Sequence, residues 1–270
     1  MFSRCLASLA VALFASGVLS ASAQSLNLST QCEDSLAAVA ASSDGQCLNA
    51  DGLIPLALAG SSDSLIDPFN KWLTGFCSQP ACANSSLSTI LTNITQGCAT
   101  DLSVVGFSQG SLPALIASVE EYYPLAREIA CLKDNSANQL CVTEELTDVQ
   151  TSTGSTLSVN GITSLVPQLL SGGFSSLNLT QSQTCNGCTK TAFNLIGQTY
   201  PGIFDSDDNT TISNACGADF LNGAQPSGIS QTASGDKLPS SGKNGVVAGI
   251  SIGPMTASMV ALAVGFLTLA

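Results

Sequence analysis

The chain has 270 residues, of which 7 are basic, 19 are acidic and none is histidine, and its formal net charge is −12 at pH 7. This acidic balance argues against nucleic acid and anionic lipid as partners, because both require a basic surface. The chain also lacks the imidazole base on which most serine hydrolases depend.

The first 23 residues have the organisation of a secretory signal peptide. The basic residue Arg4 precedes an apolar run from Cys5 to Leu19, and Ala21-Ser22-Ala23 forms an A-x-A cleavage site. The apolar run is too short for a helix that spans a membrane. We therefore expect residues 1–23 to be removed and the rest of the chain to be secreted.

Ten cysteines follow this segment, and an even number in a secreted chain predicts a disulfide-stapled domain, here residues 24–222. They form two groups of five, each with two spaced cysteines, a close pair and one more. The groups are Cys32, Cys47, Cys77, Cys82, Cys98 and Cys131, Cys141, Cys185, Cys188, Cys216. This recurrence suggests two related halves, 24–105 and 106–222. Since each group has an odd number, at least one disulfide must join the halves if every cysteine pairs.

Asparagine sequons point to the same secretory route. Each N-x-S/T motif has a residue other than proline in the middle, as N-glycosylation requires. The candidate glycosylation sites are Asn27, Asn84, Asn93, Asn178 and Asn209.

Apolar residues recur with helical spacing through most of the domain. The runs Leu87–Ile94 and Leu112–Val119 each follow the i, i+3, i+4, i+7 pattern of an amphipathic helix. Further helices are predicted at about residues 64–76, 139–151, 162–171, 187–199 and 211–221. Alternating strand patterns are nearly absent, so the sequence predicts an all-α, disulfide-rich fold.

Local signals predict where some of these helices begin and end. Thr30 and Glu33 have the spacing of a capping box that opens the first helix. Pro113 is placed near the start of a helix, with Ser111 as its cap. Pro124 lacks the backbone N–H that a helix interior needs, so we expect it to kink or end its helix.

The C-terminal part of the sequence has the pattern of a glycosylphosphatidylinositol (GPI) attachment signal. Residues 223–242 are rich in Gly, Ser, Gln and Pro, which is typical of a flexible stalk. Small residues around Ser240 precede a spacer and an uncharged apolar tail. We expect GPI attachment at Ser240, with Asn244 as the alternative, and removal of residues 243–270. A membrane-spanning tail helix is the competing interpretation.

Residues 106–110 read GFSQG, the G-x-S-x-G pattern of the nucleophile elbow in α/β-hydrolases. The elbow requires a base for its serine and a strand before the turn. The chain offers no histidine, and its lysines do not form a Ser-x-x-Lys motif with Ser108. We therefore expect Ser108 to be non-catalytic and the motif to be a glycine-flanked turn that leads into the next helix.

Two further motifs resemble functional sites without meeting their requirements. Cys185-Asn186-Gly187-Cys188 is a C-x-x-C, but no βαβ unit surrounds it, so we expect each cysteine to pair elsewhere. The acidic run Asp205–Asn209 resembles a calcium loop, but Thr210 and Cys216 stand where that loop needs glycine and glutamate. Zinc is also disfavoured, since histidine is lacking and the compartment is oxidising. The sequence therefore indicates no metal and no cofactor.

Three segments carry a resemblance to a known family. They are YYPLAREIACLKD and LCVTEELTDVQ, within residues 122–150, and CNGCTKTAFNLI, residues 185–196. They resemble an uncharacterised family of fungal secreted, GPI-anchored proteins with about ten cysteines, and the likeness covers residues 32–216. The resemblance implies a cell-surface location and a helical fold. Because that family has no assigned activity, the resemblance implies no catalytic residue.

These features together predict a non-enzymatic, GPI-anchored glycoprotein of the cell surface or cell wall. Its candidate partners are the membrane, through the GPI lipid, and a cell-wall glycan or another surface protein. Two alternatives stay open, a secreted hydrolase that uses carboxylates and a carrier of a small apolar ligand. Two converging acids in a cleft, one with a raised pKa, would favour the hydrolase. A large dry pocket lined by leucine and isoleucine would favour the carrier.

Overall fold

The structure is a computed structural model that describes residues 28–104, 106–172 and 177–235. The predicted signal peptide, the sequon at Asn27, both candidate GPI attachment residues, Ser240 and Asn244, and the apolar tail lie outside the described residues. None of the described helices combines the length and the apolar character needed to cross a membrane.

The described chain is mainly helical, as predicted. The longer helices are α1 (Thr30–Ala41), α4 (Ile66–Ser78), α5 (Asn84–Gly97), α7 (Leu112–Ala130), α8 (Cys141–Thr153), α9 (Val159–Gly172), α11 (Gly187–Thr199) and α12 (Ser206–Cys216). The shorter ones are α2 (Ser43–Gln46), α3 (Ile54–Ala57), α6 (Ala99–Val104) and α10 (Gln181–Thr184). Short 3₁₀ helices lie at Ala50–Leu53, Gln109–Ser111 and Ala218–Leu221.

The helix predicted at residues 211–221 begins earlier and is divided in two. Asp205 caps the start of α12, because its side chain accepts hydrogen bonds from the backbone N–H groups of Asp207 and Asp208. The helix ends at Gly217, whose φ of 84° lies in the region that favours glycine. The 3₁₀ helix Ala218–Leu221 then follows as a separate element.

The predicted capping box at Thr30 and Glu33 is wrong by one residue. Ser29 is the N-cap of α1, and its side chain accepts a hydrogen bond from the backbone N–H of Cys32. Ser29 also donates from its backbone N and its Oγ to the carboxylate of Asp101, at 2.9 Å and 2.6 Å. Ser29 therefore caps α1 and also joins the start of α1 to α6, whereas a capping box would involve only residues of the first turn.

Helix α7 runs through Pro124 and continues to Ala130. Of the two predicted effects of this proline, a kink or a helix end, the helix end is therefore wrong. Tertiary contacts on both sides of the proline hold the helical path. The Tyr123 hydroxyl accepts a hydrogen bond from the backbone N–H of Cys82, and Leu125 is buried. Ser111 is the N-cap residue of α7, as predicted, but its side chain makes no capping hydrogen bond to the helix.

A small antiparallel sheet, absent from the prediction, joins the segment between α7 and α8 to the chain beyond residue 222. Its strand order is β2 (Gln139–Leu140), β1 (Leu132–Asp134), β3 (Ile229–Gln231), and Lys133 faces Leu140 on one side and Ser230 on the other. Strand β3 lies in the predicted flexible stalk, residues 223–242, and Ala233 beyond it is only 5% exposed. The stalk prediction is therefore wrong for this part of the segment, because its backbone completes the edge of the sheet.

All ten cysteines of the described domain form disulfides, as the even count predicts. The pairs are Cys32–Cys98, Cys47–Cys82, Cys77–Cys131, Cys141–Cys188 and Cys185–Cys216. The Cys77–Cys131 disulfide joins the predicted halves. It lies in a core cluster with Leu73, Phe76 and Leu140.

The single tryptophan lies in the first half and packs on this same cluster. The centroid of the Trp72 ring system is 5.4 Å from that of Phe69 and 5.7 Å from that of Phe76. Its Nε1 donates a hydrogen bond to the carbonyl of Leu48 at 3.1 Å. Trp72 is therefore fixed by stacking and by a polar contact to a preceding loop.

Candidate functional site

Three carboxylates meet where β1, α8 and the start of α11 pack together, and we call this place the acidic junction. Asp134 ends β1, whereas Glu144 and Glu145 lie in the first turns of α8. The Cys141–Cys188 disulfide fixes the start of α8 against the first turn of α11. Since Glu144 and Glu145 are successive residues of one helix, they point in different directions.

Glu145 faces the start of α11 and is held there by two side chains. Its Oε1 accepts hydrogen bonds from Asn186 Nδ2 at 2.7 Å and from Thr189 Oγ1 at 3.3 Å. Burial raises the pKa of Glu145 to about 7, although these two hydrogen bonds act in the opposite direction. The carboxyl group therefore changes its charge within the neutral pH range.

A cavity of about 40 Å³ lies beside Glu145. Its walls are otherwise largely apolar and consist of Ile129, Leu132, Cys141, Val142, Cys188, Thr189 and Ala192. This volume accommodates a water molecule or a few, whereas ligand pockets usually measure several hundred Å³. The cavity therefore does not provide the large apolar pocket that a carrier of small ligands would need.

Glu144 does not line this cavity, and one of its carboxylate oxygens lies within 4.8 Å of one of Asp134. The Asp134 carboxylate accepts hydrogen bonds from the backbone N and Oγ of Ser136, both at 2.6 Å, and from the backbone N of Ala137. These hydrogen bonds lower the pKa of Asp134. Burial, followed by the charges of Asp134 and Asp148, raises the pKa of Glu144. The two carboxyl groups thus differ in proton affinity, as an acid and its partner base do.

The same pair belongs to a group with the spacing of metal ligands. One oxygen each of Asp134 and Glu144 and the Sγ of Cys188 lie within 4.8 Å of one another. The sulfur of Cys188 is bonded to Cys141, so it supplies neither a thiolate nor an S–H donor. The group thus reduces to two carboxylates, which do not define a metal centre.

Ser108 of the GFSQG motif is exposed and lies in a turn between helices. The turn follows α6, and Gly106 adopts a positive φ of 84°. The Ser108 Oγ lies 3.1 Å from the Oγ of Ser111, which is a hydroxyl and not a base. The predicted glycine-flanked turn leading into α7 is confirmed. The element before the turn is the helix α6, whereas a nucleophile elbow follows a strand.

The other two motifs of the sequence have structural roles. Cys185 and Cys188 pair with different cysteines, Cys216 and Cys141, as predicted for a C-x-x-C outside a redox fold. The acidic run that begins at Asp205 forms the capped first turn of α12, with a reciprocal hydrogen bond between Asp208 and the backbone of Asp205.

The described sequon asparagines differ in their exposure. Asn84, Asn93 and Asn178 are exposed, whereas Asn209 on α12 is half-buried. Asn84 and Asn93 both belong to α5, and Asn178 has a positive φ of 52°. Glycosylation at these positions stays a prediction.

Comparison with protein-family models, with curated proteins and with solved structures finds no match for this chain. The acidic junction is consequently described from its own geometry. Sequence reasoning did not single out Asp134, Glu144 or Glu145. The signal that was present is the paired glutamate of TEELTD, directly after a cysteine, but its approach to Asp134 depends on the β1–β2 hairpin.

Proposed function

We propose that this chain is a non-enzymatic, GPI-anchored glycoprotein of the cell surface or cell wall. The observation that carries this proposal is the pairing of all ten cysteines between Cys32 and Cys216. Disulfides of this number persist in oxidising compartments, which supports passage through the secretory route. The signal-peptide and GPI patterns of the sequence support the same location from both ends of the chain.

The chemistry of the described residues supports a role other than hydrolysis at serine. Ser108 is exposed beside another hydroxyl, and the chain has no histidine to act as its base. An acidic, disulfide-stapled domain is suited to contacts with other molecules outside the cell. Its partner in this proposal is a cell-wall glycan or another surface protein.

The anchor is tested by expressing the full chain in a eukaryotic secretory host. We expect the protein on the cell surface and its release into the aqueous phase by phosphatidylinositol-specific phospholipase. A variant that lacks residues 255–270 should appear in the medium instead. The matched pair Ser240→Phe and Asn244→Phe identifies the attachment residue, because a bulky side chain at that residue blocks attachment.

Mass spectrometry of the mature protein distinguishes a GPI anchor from a membrane-spanning tail helix. Peptides from residues 246–270 in the mature protein would show that a tail helix, and not a GPI lipid, holds the chain. A mature protein found in the cytosol with free thiols would exclude secretion. Loss of mass on treatment with peptide-N-glycosidase would support glycosylation at the predicted sequons.

One observation favours a second candidate, a hydrolase that uses carboxylates. In the acidic junction the pKa of Asp134 is lowered and that of Glu144 is raised, and their nearest oxygens lie within 4.8 Å. Carboxyl groups about 5 Å apart are typical of retaining glycosidases, in which one acts as acid and the other as nucleophile. Glu144 would protonate the leaving oxygen and Asp134 would attack the sugar carbon.

This second candidate is tested with purified protein and a panel of neutral cell-wall polysaccharides. A hydrolase of this kind releases sugars, and Glu144→Gln abolishes the release. Glu33→Gln, an exposed glutamate of α1, is the matched control and retains it. No release by the unmodified protein, or equal release by Glu144→Gln, would exclude the acidic junction as an active site.

A further inference from the structure

The segment from Phe204 to Asn222, which we call the strap, is attached to α11 at both of its ends. At its start the Phe204 ring stacks on Phe193 with centroids 4.0 Å apart, and near its end Phe220 lies 6.1 Å from the same ring. Lys190 Nζ donates hydrogen bonds to the carbonyl of Asp219 at 2.8 Å and to Asn222 Oδ1 at 2.9 Å. Both attachments therefore depend on side chains of a single helix.

The middle of the strap has little to hold it in place other than a disulfide. This part is α12, and none of its residues is buried. Its C-terminal end is joined to the segment before α11 by the Cys185–Cys216 disulfide. A side-chain hydrogen bond near this disulfide runs from Gln181 Nε2 to the carbonyl of Ala215. Since hydrophobic burial contributes most of the stability of protein helices, α12 depends on the covalent link.

The Cys185–Cys216 disulfide is also the most accessible of those described. Both of its cysteines are half-exposed, whereas each of the other disulfides has at least one buried cysteine. The Cys77–Cys131 pair is 2% and 0% exposed, and the Cys141–Cys188 pair 4% and 3%. Attack on a disulfide requires direct contact between an incoming thiolate and a sulfur atom.

The surroundings of Cys185 favour its departure as a thiolate. The hydroxyl of Thr184 lies 3.5 Å from the Cys185 Sγ and is able to donate a hydrogen bond to it. Cys185 also directly precedes Asn186, the N-cap of α11, where the partial positive charge of the helix stabilises a nearby anion. A thiol with a stabilised thiolate is the better leaving group in thiol–disulfide exchange.

We propose that the Cys185–Cys216 disulfide is a reducible latch and that the strap opens from α11 when an extracellular dithiol cleaves it, while the rest of the domain stays folded. The inference takes its extracellular setting from the proposed secretion, but it rests on the accessibility of this disulfide and does not depend on the GPI anchor. The strap would thus act as a redox-sensitive element of an otherwise fixed scaffold.

The reaction is a two-step exchange that consumes one dithiol. A thiolate of the dithiol attacks the Sγ of Cys216, forming a mixed disulfide, and Cys185 leaves with the electron pair as a thiolate that then takes up a proton. The second thiolate of the dithiol attacks its own sulfur in the mixed disulfide, and Cys216 leaves as a thiolate that then takes up a proton. The dithiol loses two electrons and becomes a disulfide, and the protein disulfide gains these two electrons and becomes two thiols.

Opening of the strap changes one surface in particular. If the ends of the strap leave α11 together with α12, Phe193 loses its contacts with both Phe204 and Phe220, and its ring becomes accessible on the outer side of α11. Leu195 and Ile196 of the same helix, which are 3% and 0% exposed, pack in a core cluster with residues of α7 and β1. The packing of α11 on the domain is therefore expected to survive the opening.

The test uses the folded protein and dithiothreitol over a range of concentrations, followed by alkylation and peptide mass spectrometry. We expect Cys185 and Cys216 to be alkylated at concentrations at least about tenfold below those needed for the other eight cysteines. At that concentration, amide hydrogen exchange should accelerate roughly tenfold or more in residues 206–216 and stay unchanged in α4 and α7.

A pair of double variants provides the matched control. Cys185→Ser with Cys216→Ser should reproduce the fast exchange of the strap without reductant, whereas Cys47→Ser with Cys82→Ser should leave the strap protected. If a double variant fails to fold, the reduction experiment on the unmodified chain still shows whether Cys185–Cys216 is reduced first. Earlier reduction of another disulfide, simultaneous reduction of all five, or an unchanged exchange rate in α12 after alkylation would each overturn the proposal.

Discussion

The two halves of the domain contain the same number of cysteines but connect them differently. In the first half the disulfides are nested, because Cys32–Cys98 encloses Cys47–Cys82 along the chain. In the second half they are interleaved, because Cys185 of one disulfide lies between Cys141 and Cys188 of the other. The second and fourth cysteines pair in both halves, whereas the other pairings differ. The hypothesis of two related halves therefore accounts for one shared disulfide only.

The length of the closed loops does not explain why one disulfide should be more labile than another. The disulfides within the halves separate their cysteines by 66 and 35 residues in the first half and by 47 and 31 in the second. In the chain-entropy treatment each loop contributes about 4 kcal/mol, and the spread among them is below about 1 kcal/mol. Burial, and not loop length, therefore distinguishes the latch from the rest.

The largest effect is expected where the halves are joined. Cys77→Ala with Cys131→Ala should lower the free energy of unfolding by about 4 kcal/mol, because it removes a buried crosslink from the core. Unfolding in guanidinium chloride, followed by circular dichroism, measures the change. Cys185→Ala with Cys216→Ala is the comparison. It removes a similar loop-entropy contribution but leaves no space in a buried core cluster, so it should cost less than the core variant. Equal losses would show that burial of the cysteines does not set the contribution of a disulfide to stability.

The second prediction concerns a buried cation that also connects the halves. Arg127 of α7 is 1% exposed, its Nη2 donates to the carbonyl of Gln79 at 2.6 Å, and its guanidinium lies 5.6 Å from the centre of the Phe76 ring. Arg127→Leu leaves the Gln79 carbonyl without this donor and should cost about 3 kcal/mol of unfolding free energy.

Chemical denaturation of Arg127→Leu tests this prediction against a control on the neighbouring helix. Lys71→Leu removes an exposed cation of α4 and should change the unfolding free energy by less than about 0.5 kcal/mol. If both variants were as stable as the unmodified protein, Arg127 would have no role in joining the halves.

The third prediction concerns the pH dependence that one carboxyl group of the second half, Glu145, gives to stability. The pKa of Glu145 is raised from 4.5 to about 7 in the folded protein, so the folded state binds the proton more tightly than the unfolded state does. Its contribution to stability is complete below the unfolded pKa and is lost as the pH rises to about 7. We expect a loss of about 2 to 3 kcal/mol across that interval.

Unfolding free energies of Glu145→Gln measured across the same pH range provide the check. This variant keeps an oxygen that accepts from Asn186 and Thr189 but does not ionise, so its stability should vary less with pH. Glu33→Gln, which changes an exposed carboxylate in the first half, should follow the unmodified protein. A Glu145→Gln profile parallel to that of the unmodified chain would show that another group controls the pH dependence.

The smallest effect is expected at the boundary between the halves. Ser108→Ala should change the unfolding free energy by less than about 0.5 kcal/mol, since the serine is exposed. A fluorophosphonate probe should leave the purified protein unlabelled, because no imidazole activates the serine. Labelling of Ser108 in equimolar amount would reverse the interpretation of GFSQG.

Sequence reasoning predicted helices whose boundaries depend on neighbouring residues, such as a cap and a regular apolar spacing. Helix α11 begins and ends at the predicted residues 187 and 199, because the side chain of Asn186 caps its start and apolar residues recur with helical spacing along it. The path through Pro124 was not predictable, because contacts of Tyr123 and Leu125 with distant residues outweigh the local preference.

The sheet and the acidic junction lay beyond sequence reasoning for a different reason. Strands of two or three residues are too short to show alternation, and β3 pairs with β1 across nearly one hundred residues of chain. The approach of Glu144 to Asp134 depends on the β1–β2 hairpin and on the disulfide between Cys141 and Cys188. Disulfide connectivity among ten cysteines is not readable from their spacing.

The position of Trp72 makes the two halves optically distinguishable. Tryptophan fluorescence depends on the immediate surroundings of the indole, and the only indole of the chain is held between Phe69 and Phe76 in the first half. Two of the three tyrosines, Tyr122 and Tyr200, form a ring pair in the second half, 5.7 Å apart. Emission excited selectively at the indole therefore reports unfolding around Cys77–Cys131 and should be silent to opening of the strap.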